Sequence, residues 1–407
     1  MKKNFLLTSI SIGSRLSTSF VLFVIFARFW GPVDFGVFSF VFSVSALLVL
    51  IVEFGLQSYL LREIAAAPSD SPELIRSALW AKLIFVPFFA LLSLAVFFVL
   101  DRGAPADIAV PLSFAAVALS FADFFIAPLR ALGRYDLETY IIIGANSFQL
   151  LIAALCVWKG GAPVELAWVL VFTRGVQLAV SYAVLRRQIP NLRLSFPGVL
   201  SLREAVRRAM PYGLDGLLTT AWVQIDIVLV RLIFGPQIVG LYAAGQRIVQ
   251  AASSIAPVIG NVMIPRLAQS STQREGNWQS DGKFCIAAMG LVGLFFSIPM
   301  IVYPELIAIT LFGQGYIGLA DIFPFFGLLV LVRFLASAVG ILLTGAGMQG
   351  QRIGVQALSL LLFLAGAALT AAFGLSLEFL IGVMIFCFSL IGVGYWWKLS
   401  RAGCAPV

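Results

Sequence analysis

Twelve apolar stretches, each about 20 residues or longer, constrain the fold of this chain more than any other feature. A helix of that length crosses the hydrocarbon core of a bilayer, and lipid offers no hydrogen-bond partner to an open sheet edge. The sequence therefore predicts an all-α polytopic membrane protein with about 12 transmembrane helices. The predicted spans are Phe5–Trp30, Phe35–Leu60, Ala78–Leu100, Ile108–Leu129, Leu137–Trp158, Val164–Leu185, Ala209–Phe234, Ile238–Pro265, Phe284–Val302, Leu319–Leu343, Ile353–Phe373 and Leu377–Trp397.

Composition excludes several kinds of chemistry. Apolar residues make up 61% of the chain and charged residues 11%, against about 25% charged in a typical soluble domain. There is no histidine, and the four cysteines are far apart in sequence, which excludes a histidine base or ligand and argues against a structural metal site. We therefore expect a protein that is not an enzyme and that holds neither a cofactor nor a metal.

The basic residues predict the orientation in the membrane. Nineteen of the 27 lysines and arginines, Lys82 among them, are assigned to loops on one side of the predicted spans. The positive-inside rule places this side, and with it both termini, in the cytoplasm. Because their placement in loops on one side explains the excess of basic residues, we expect no nucleic-acid partner.

An internal repeat divides the chain. The segment from Gly31 to Phe38 recurs, with its Gly-Pro pair, from Gly235 to Tyr242, an offset of 204 residues. Two parallel six-helix repeats are a transporter architecture with a substrate site between the halves. The predicted organisation is an N-terminal six-helix lobe over residues 1–185, a cytoplasmic linker over 186–208 and a C-terminal six-helix lobe over 209–407. The spacing Ser201-x-x-Glu204 predicts an interfacial helix in the linker.

Polar side chains inside the predicted spans are the candidate functional residues. A charge at the centre of a transmembrane helix costs about 2.5–3.5 kcal/mol, so each should face water or pair with an opposite charge. One interpretation is a hydrated cavity whose arginines receive an anion, because a guanidinium binds two oxygens at once. The alternative is a set of structural ion pairs. The candidate substrate-binding residues are Arg15, Arg247, Arg333, Arg231, Arg174, Ser11, Gln250 and Asn261. The candidates for ion coupling or gating are Asp226, Asp215, Glu53, Asp123 and Pro257, the last as a kink in span eight.

Several short segments resemble the Wzx-type O-antigen flippases of the multidrug/oligosaccharidyl-lipid/polysaccharide (MOP) exporter superfamily. The resembling segments are Phe29–Phe38, Glu53–Leu56, Leu61–Glu63, Ile225-Asp226, Gly235–Tyr242, Ile264–Leu267, Leu311–Tyr316 and Gly345-x-Gly347. The resemblance implies a MATE-like architecture in the bacterial inner membrane. It also implies transport of an undecaprenyl-diphosphate-linked glycan by alternating access, coupled to an H⁺ or Na⁺ gradient. Its implied partners are this glycan, membrane lipids and the proteins of polysaccharide polymerisation and assembly.

Two alternatives remain open at the level of sequence. An ion-coupled exporter of drugs or organic cations in the same superfamily would need an acidic cavity, whereas the candidate residues within the spans include five arginines and four acids. A membrane glycosyltransferase or polymerase would be expected to carry a sizeable periplasmic loop, and the predicted outer loops are short.

Overall fold

The computed structural model describes residues 2–100, 105–192, 195–273, 277–348 and 350–402, and within these ranges it leaves out the side chains of residues 2–6, 100, 215, 271–273 and 277. The described chain is built of helices, and the predicted all-α fold is confirmed. The α-helices are α1 (Lys2–Leu48), α2 (Leu50–Glu53), α3 (Leu56–Ala66), α4 (Ser71–Leu100), α5 (Ala106–Ala131), α6 (Tyr135–Trp158), α7 (Pro163–Gln188), α8 (Val199–Ser253), α9 (Ile255–Gln273), α10 (Asn277–Val302), α11 (Pro304–Phe312), α12 (Phe323–Gly345), α13 (Gly350–Phe373) and α14 (Leu377–Arg401).

The helices account for twelve membrane crossings. Among the described residues, ten helical stretches are long and apolar enough to cross a bilayer. Two of these, Leu7–Ala66 and Gly216–Ser270, have 60 and 55 residues, enough for two crossings each. The chain is therefore a multi-pass membrane protein. It divides into two compact units, Met1–Val228 (the N-terminal unit) and Leu229–Val407 (the C-terminal unit).

The two copies of the Gly-Pro repeat each coincide with a kink in a long helix. In α1, Gly31 has φ 75° and ψ 177°, and in α8, Gly235 has φ 84° and ψ −177°. This region of φ/ψ space is essentially restricted to glycine, so each glycine ends one helical segment and lets the next begin at the following proline. The repeat seen in the sequence thus encodes a sharp change of chain direction at two positions 204 residues apart.

Both helices that follow these glycines break again before they end. In the N-terminal unit the break occurs around α2, where Phe54 and Gly55 adopt left-handed conformations with φ 39° and 70°. In the C-terminal unit α8 ends at Ser253 and α9 begins at Ile255, just before Pro257. Proline cannot donate a hydrogen bond to the carbonyl four residues earlier, here Ser253, so the bend predicted from Pro257 is present as a break in the helix.

The predicted interfacial helix is the first part of α8 and not a separate element. Its apolar side carries Ala205 and Ala209, which are buried in the core of the N-terminal unit together with Tyr59, Leu60 and Ile64. The opposite side, with Arg203 and Arg207, is exposed. The expected amphipathic pattern is therefore present, but its apolar face packs against protein.

The backbones of α3 and α8 touch at a pair of glycines. A Cβ atom added to Gly55 would lie 2.3 Å from the backbone nitrogen of Gly213 and 2.7 Å from the carbonyl oxygen of Ala209. No side chain fits at that separation, so this close approach requires glycine. Two side-chain contacts flank it, from Arg62 Nη1 to Tyr212 Oη at 2.7 Å and from Arg208 Nη1 to Glu63 Oε2 at 3.1 Å.

Candidate functional site

An ion pair between α1 and α5 lies at the centre of the polar interior of the N-terminal unit. Arg15 donates from Nη1 to Asp123 Oδ2 at 2.9 Å and from Nη2 to Asp123 Oδ1 at 2.5 Å. This two-pronged geometry is the strongest that an arginine makes with a carboxylate. The two residues are candidates from the sequence, one for binding substrate and the other for coupling, and the structure brings them into direct contact.

Lys82 is the charged residue that sequence reasoning missed. It was assigned to a cytoplasmic loop, but it lies inside α4 with its side chain fully buried, so that assignment was wrong. Its Nζ donates to the Ser120 hydroxyl at 2.6 Å and to the Val52 carbonyl at 3.3 Å. A usable signal was present, because Lys82 falls four residues inside the predicted span that begins at Ala78.

Glu53 provides the negative charge beside this lysine. Its carboxylate interacts electrostatically with Lys82 and hydrogen-bonds with the Ser120 side chain. Glu53 is the last residue of the short helix α2, so the helix break in span two is what places the carboxylate here. A buried lysine next to a carboxylate avoids most of the cost of an isolated charge in a membrane interior.

Arg174 on α7 completes the charged group. Its side chain is 8% exposed, and its guanidinium lies over the Phe42 ring, with Cζ 5.8 Å from the ring centroid. Its Nε makes no hydrogen bond within the described part of the chain. Since arginine donors that leave water normally find acceptors, this nitrogen is a position for a ligand or a water molecule.

Three cavities in the N-terminal unit share these charged residues. Arg174 lines a cavity of about 200 Å³ together with Arg15, which we call the Arg174 cavity. It also lines one of about 220 Å³ with Glu53 and Asp123, the Glu53 cavity. A third, of about 290 Å³, is lined by Ser11, Arg15 and Asp123 and is called the Ser11 cavity. The polar residues predicted from spans one, two, four and six therefore converge within one unit.

The Ser11 cavity carries its own ion pair. Arg130 at the end of α5 binds the carboxylate of Glu138 on α6, and both residues line this cavity. Ser11 is buried, and its hydroxyl donates to the Thr8 carbonyl at 2.9 Å. The hydroxyl is thus engaged with its own helix in this conformation.

Asp226 on α8 lines none of these cavities. Asp226 is fully buried, and its Oδ1 accepts a hydrogen bond from the Ile227 backbone nitrogen at 2.8 Å. The side chain of Asp215 lies outside the described residues.

The C-terminal unit holds the other three candidate arginines, Arg231, Arg247 and Arg333. Arg247 is buried in α8, and its Nη1 donates to Gln250 Oε1 at 3.0 Å, so these two candidates contact each other. Arg333 on α12 lies over the Phe388 ring of α14, with Cζ 4.9 Å from the ring centroid. Three further candidates are scattered in this unit, with Arg231 half-buried and Asn261 and Pro257 exposed.

Comparison with solved structures shows the fold over the full length. The chain superimposes on an inward-facing multidrug resistance MATE family transporter of the MOP superfamily with a TM-score of 0.74 and 13% identity, covering 98% of each chain. The outward-facing conformation of a transporter so described gives a TM-score of 0.68 and 14% identity, covering 99% of this chain and 96% of that one. The eukaryotic MATE transporter AtDTX14 gives 0.66 and 15%, covering 98% and 95%.

Comparison with protein families defines the relationship more closely. A search of curated proteins finds no significant match. The profile of the family described as "Polysaccharide biosynthesis protein" matches residues 1–271, about two thirds of the chain and the whole of the N-terminal unit with its charged cavities. Because this match spans more than half of the chain, the chain belongs to the family described as "Polysaccharide biosynthesis protein".

Proposed function

We propose that this chain is a flippase that moves an undecaprenyl-diphosphate-linked oligosaccharide, the repeat unit of O-antigen or another polysaccharide, from the cytoplasmic to the periplasmic leaflet of the bacterial inner membrane. Both termini are cytoplasmic in this proposal. The observation that carries it is a group of charged residues inside membrane-spanning helices, in which Arg15, Arg174, Glu53 and Asp123 line cavities of about 200–290 Å³. Lys82 is buried next to these cavities and interacts electrostatically with Glu53, so the cations of the group outnumber its acids by three to two. An excess of buried positive charge favours an anionic cargo over an organic cation.

The same residues suggest how transport is coupled. In our proposal Glu53 and Asp123 exchange H⁺ or bind Na⁺ during the cycle, because Asp123 is bonded to Arg15 and Glu53 interacts electrostatically with Lys82, and neutralising either carboxylate would weaken its hold on that cation. Asp226, Asp215 and the break before Pro257 are further proposed gating elements. Loss of the negative charge on Asp123 would free Arg15 to bind the diphosphate of the substrate.

The test uses a strain in which this gene is deleted and restored as a variant. We expect deletion, or Arg247→Ala at normal protein level, to abolish surface polysaccharide and to leave lipid-linked oligosaccharide accumulated on the cytoplasmic leaflet. Arg186→Gln is the matched control, because Arg186 is exposed and contacts only Tyr182 among the hydrogen bonds described here. If no lipid-linked intermediate accumulates and sensitivity to cationic drugs rises instead, the chain is a drug exporter.

A further inference from the structure

The Arg174 cavity is lined by two kinds of neutral side chain. The aromatic ones, which we call the aromatic wall, are Phe23, Phe26, Phe38 and Phe42 of α1. The neutral polar ones come from α1, α6 and α7 and are Thr18, Ser19, Asn146, Gln149 and Gln177. Amides and hydroxyls both donate and accept hydrogen bonds, as sugar hydroxyls do, while aromatic faces suit the apolar face of a pyranose ring. The combination fits a single sugar ring in a cavity of about 200 Å³.

The aromatic wall is firmly held. Phe23 packs edge-on against Phe42 with ring centroids 5.3 Å apart, and Phe38 packs edge-on against Phe26 at 5.8 Å. Trp30 stacks on Phe26 at 5.1 Å and donates from Nε1 to the Gly161 carbonyl at 2.9 Å. A wall whose rings already pack against one another loses little side-chain entropy when a ligand binds to it.

The charged group of Arg15, Lys82, Arg174, Glu53 and Asp123, of which Arg15 and Arg174 line the cavity, has one positive charge in excess. Arg15, Lys82 and Arg174 carry three positive charges, and Glu53 and Asp123 carry two negative ones. Arg15 has both prongs of its guanidinium on Asp123, and Lys82 lies with Glu53 and Ser120. The separate pair of Arg130 with Glu138 adds no net charge. Arg174 interacts electrostatically with Asp123, but it has no ion pair in the described chain, and its buried Nε makes no hydrogen bond there, so we associate the excess with Arg174.

We infer that the Arg174 cavity binds a carboxylated sugar, a uronic acid residue of the transported glycan, with the carboxylate on Arg174 and the ring hydroxyls on Asn146, Gln149 and Gln177. This inference rests on the proposed function and names the sugar class within it. A single carboxylate matches the single excess charge, whereas a diphosphate carries about two or more negative charges and would leave the cluster negative. A neutral hexose would leave Arg174 desolvated without a directly bonded counter-charge, which a membrane interior penalises.

The test measures binding of small probes to the purified protein in lipid nanodiscs. We expect glucuronic acid to bind about tenfold tighter than glucose, because only the former satisfies the buried arginine. Arg174→Gln should remove that preference, and Arg174→Lys should retain part of it, because it keeps the charge but loses the two-pronged geometry. Arg186→Gln, on the same helix but exposed, should leave binding unchanged.

Three outcomes overturn the inference. Equal binding of glucuronic acid and glucose would show that the cavity does not select a carboxylate. Displacement of glucuronic acid by inorganic pyrophosphate would assign Arg174 to the diphosphate instead. Unchanged selectivity in both Arg174 variants would place the sugar elsewhere. Because these measurements involve no transport, they leave the flippase assignment to the accumulation experiment, and failure of that experiment would not alter the binding result.

Discussion

The two units handle buried arginines in different ways. In the N-terminal unit Arg15 pairs with Asp123, Arg130 pairs with Glu138, and Lys82 interacts electrostatically with Glu53; Arg174, which lies over the Phe42 ring, is the exception. In the C-terminal unit the contact described for Arg247 is the neutral Gln250 amide, and that for Arg333 is the Phe388 ring. The acids of that unit's sequence lie at or beyond the ends of its predicted spans: Glu275, Asp281, Glu305, Asp321 and Glu378.

This difference separates cations with a carboxylate partner, which we call structural charges, from arginines whose described contact is an amide or a ring. A carboxylate that balances a cation fixes both side chains, and removal of either leaves the other buried without its partner. An amide or a ring also stabilises a guanidinium, but neither of these contacts is an ion pair. We therefore expect charge-removing substitutions to reduce stability mainly in the N-terminal unit and to reduce transport mainly in the C-terminal unit.

The largest effect is expected at Lys82. Lys82→Ala leaves the Glu53 carboxylate without its lysine and should lower the free energy of unfolding by about 3–5 kcal/mol, measured by denaturant titration in mild detergent. The control is the double variant Lys82→Met with Glu53→Gln, which removes both charges and preserves much of the volume. The double variant should lose far less free energy of unfolding than Lys82→Ala. Equal losses in the two variants would show that Lys82 and Glu53 are not coupled.

Asp123 offers a direct comparison between the units. Asp123→Ala should cost about 2–3 kcal/mol because Arg15 loses a carboxylate, whereas Gln250→Ala removes a neutral acceptor from Arg247 and should cost about 1 kcal/mol. Unfolding midpoints of both variants in the same detergent measure this difference. If the two substitutions destabilise equally, the distinction between the units drawn above is incorrect.

The glycines of the repeat should respond alike in both units. Gly31→Ala and Gly235→Ala each force a Cβ into a backbone conformation reserved for glycine, at a cost of about 1–3 kcal/mol apiece. Gly144→Ala, in the middle of α6 with open space around it, is the control and should be neutral or slightly stabilising. Thermal unfolding of the three variants tests whether the two glycines contribute equally to stability, although the charged residues of the two units differ.

The smallest effect is expected at Arg333. Arg333→Met removes a contact with the Phe388 ring worth about 0.5–2 kcal/mol, and the added apolar character offsets part of that loss in lipid. The unfolding midpoint should therefore shift little, while surface polysaccharide in the complemented deletion strain should fall. A large loss of stability without a transport defect would place Arg333 among the structural charges.

The fold was predictable because lipid simplifies the problem. Length and hydropathy are sufficient to locate a membrane helix, and the Gly-Pro repeat located both Gly31 and Gly235. The breaks within spans two and eight were harder to foresee. Pro257 signalled one of them, but the left-handed Phe54 before Gly55 in the other depends on close packing against Gly213, which is distant in sequence.

The site was only partly predictable, for a similar reason. The cost of burying charge was enough to single out Arg15, Arg174, Glu53 and Asp123 before their contacts were known. It could not show that Arg15 and Asp123 meet, because they are 108 residues apart. Lys82 was overlooked because it stands near a span end, where lysine usually reaches the interface.

The packing of α8 against α3 also has a consequence for biosynthesis. The chain is made from its N-terminus, so Tyr59, Leu60 and Ile64 enter the membrane long before Ala205 and Ala209 are available to cover them. A nascent chain that ends at Gln188 holds all the helices up to α7 but an incomplete core. The N-terminal unit, which ends at Val228, is therefore complete only after the first half of α8 has been synthesised, and until then its uncovered core is an apolar surface that a chaperone or insertase could protect.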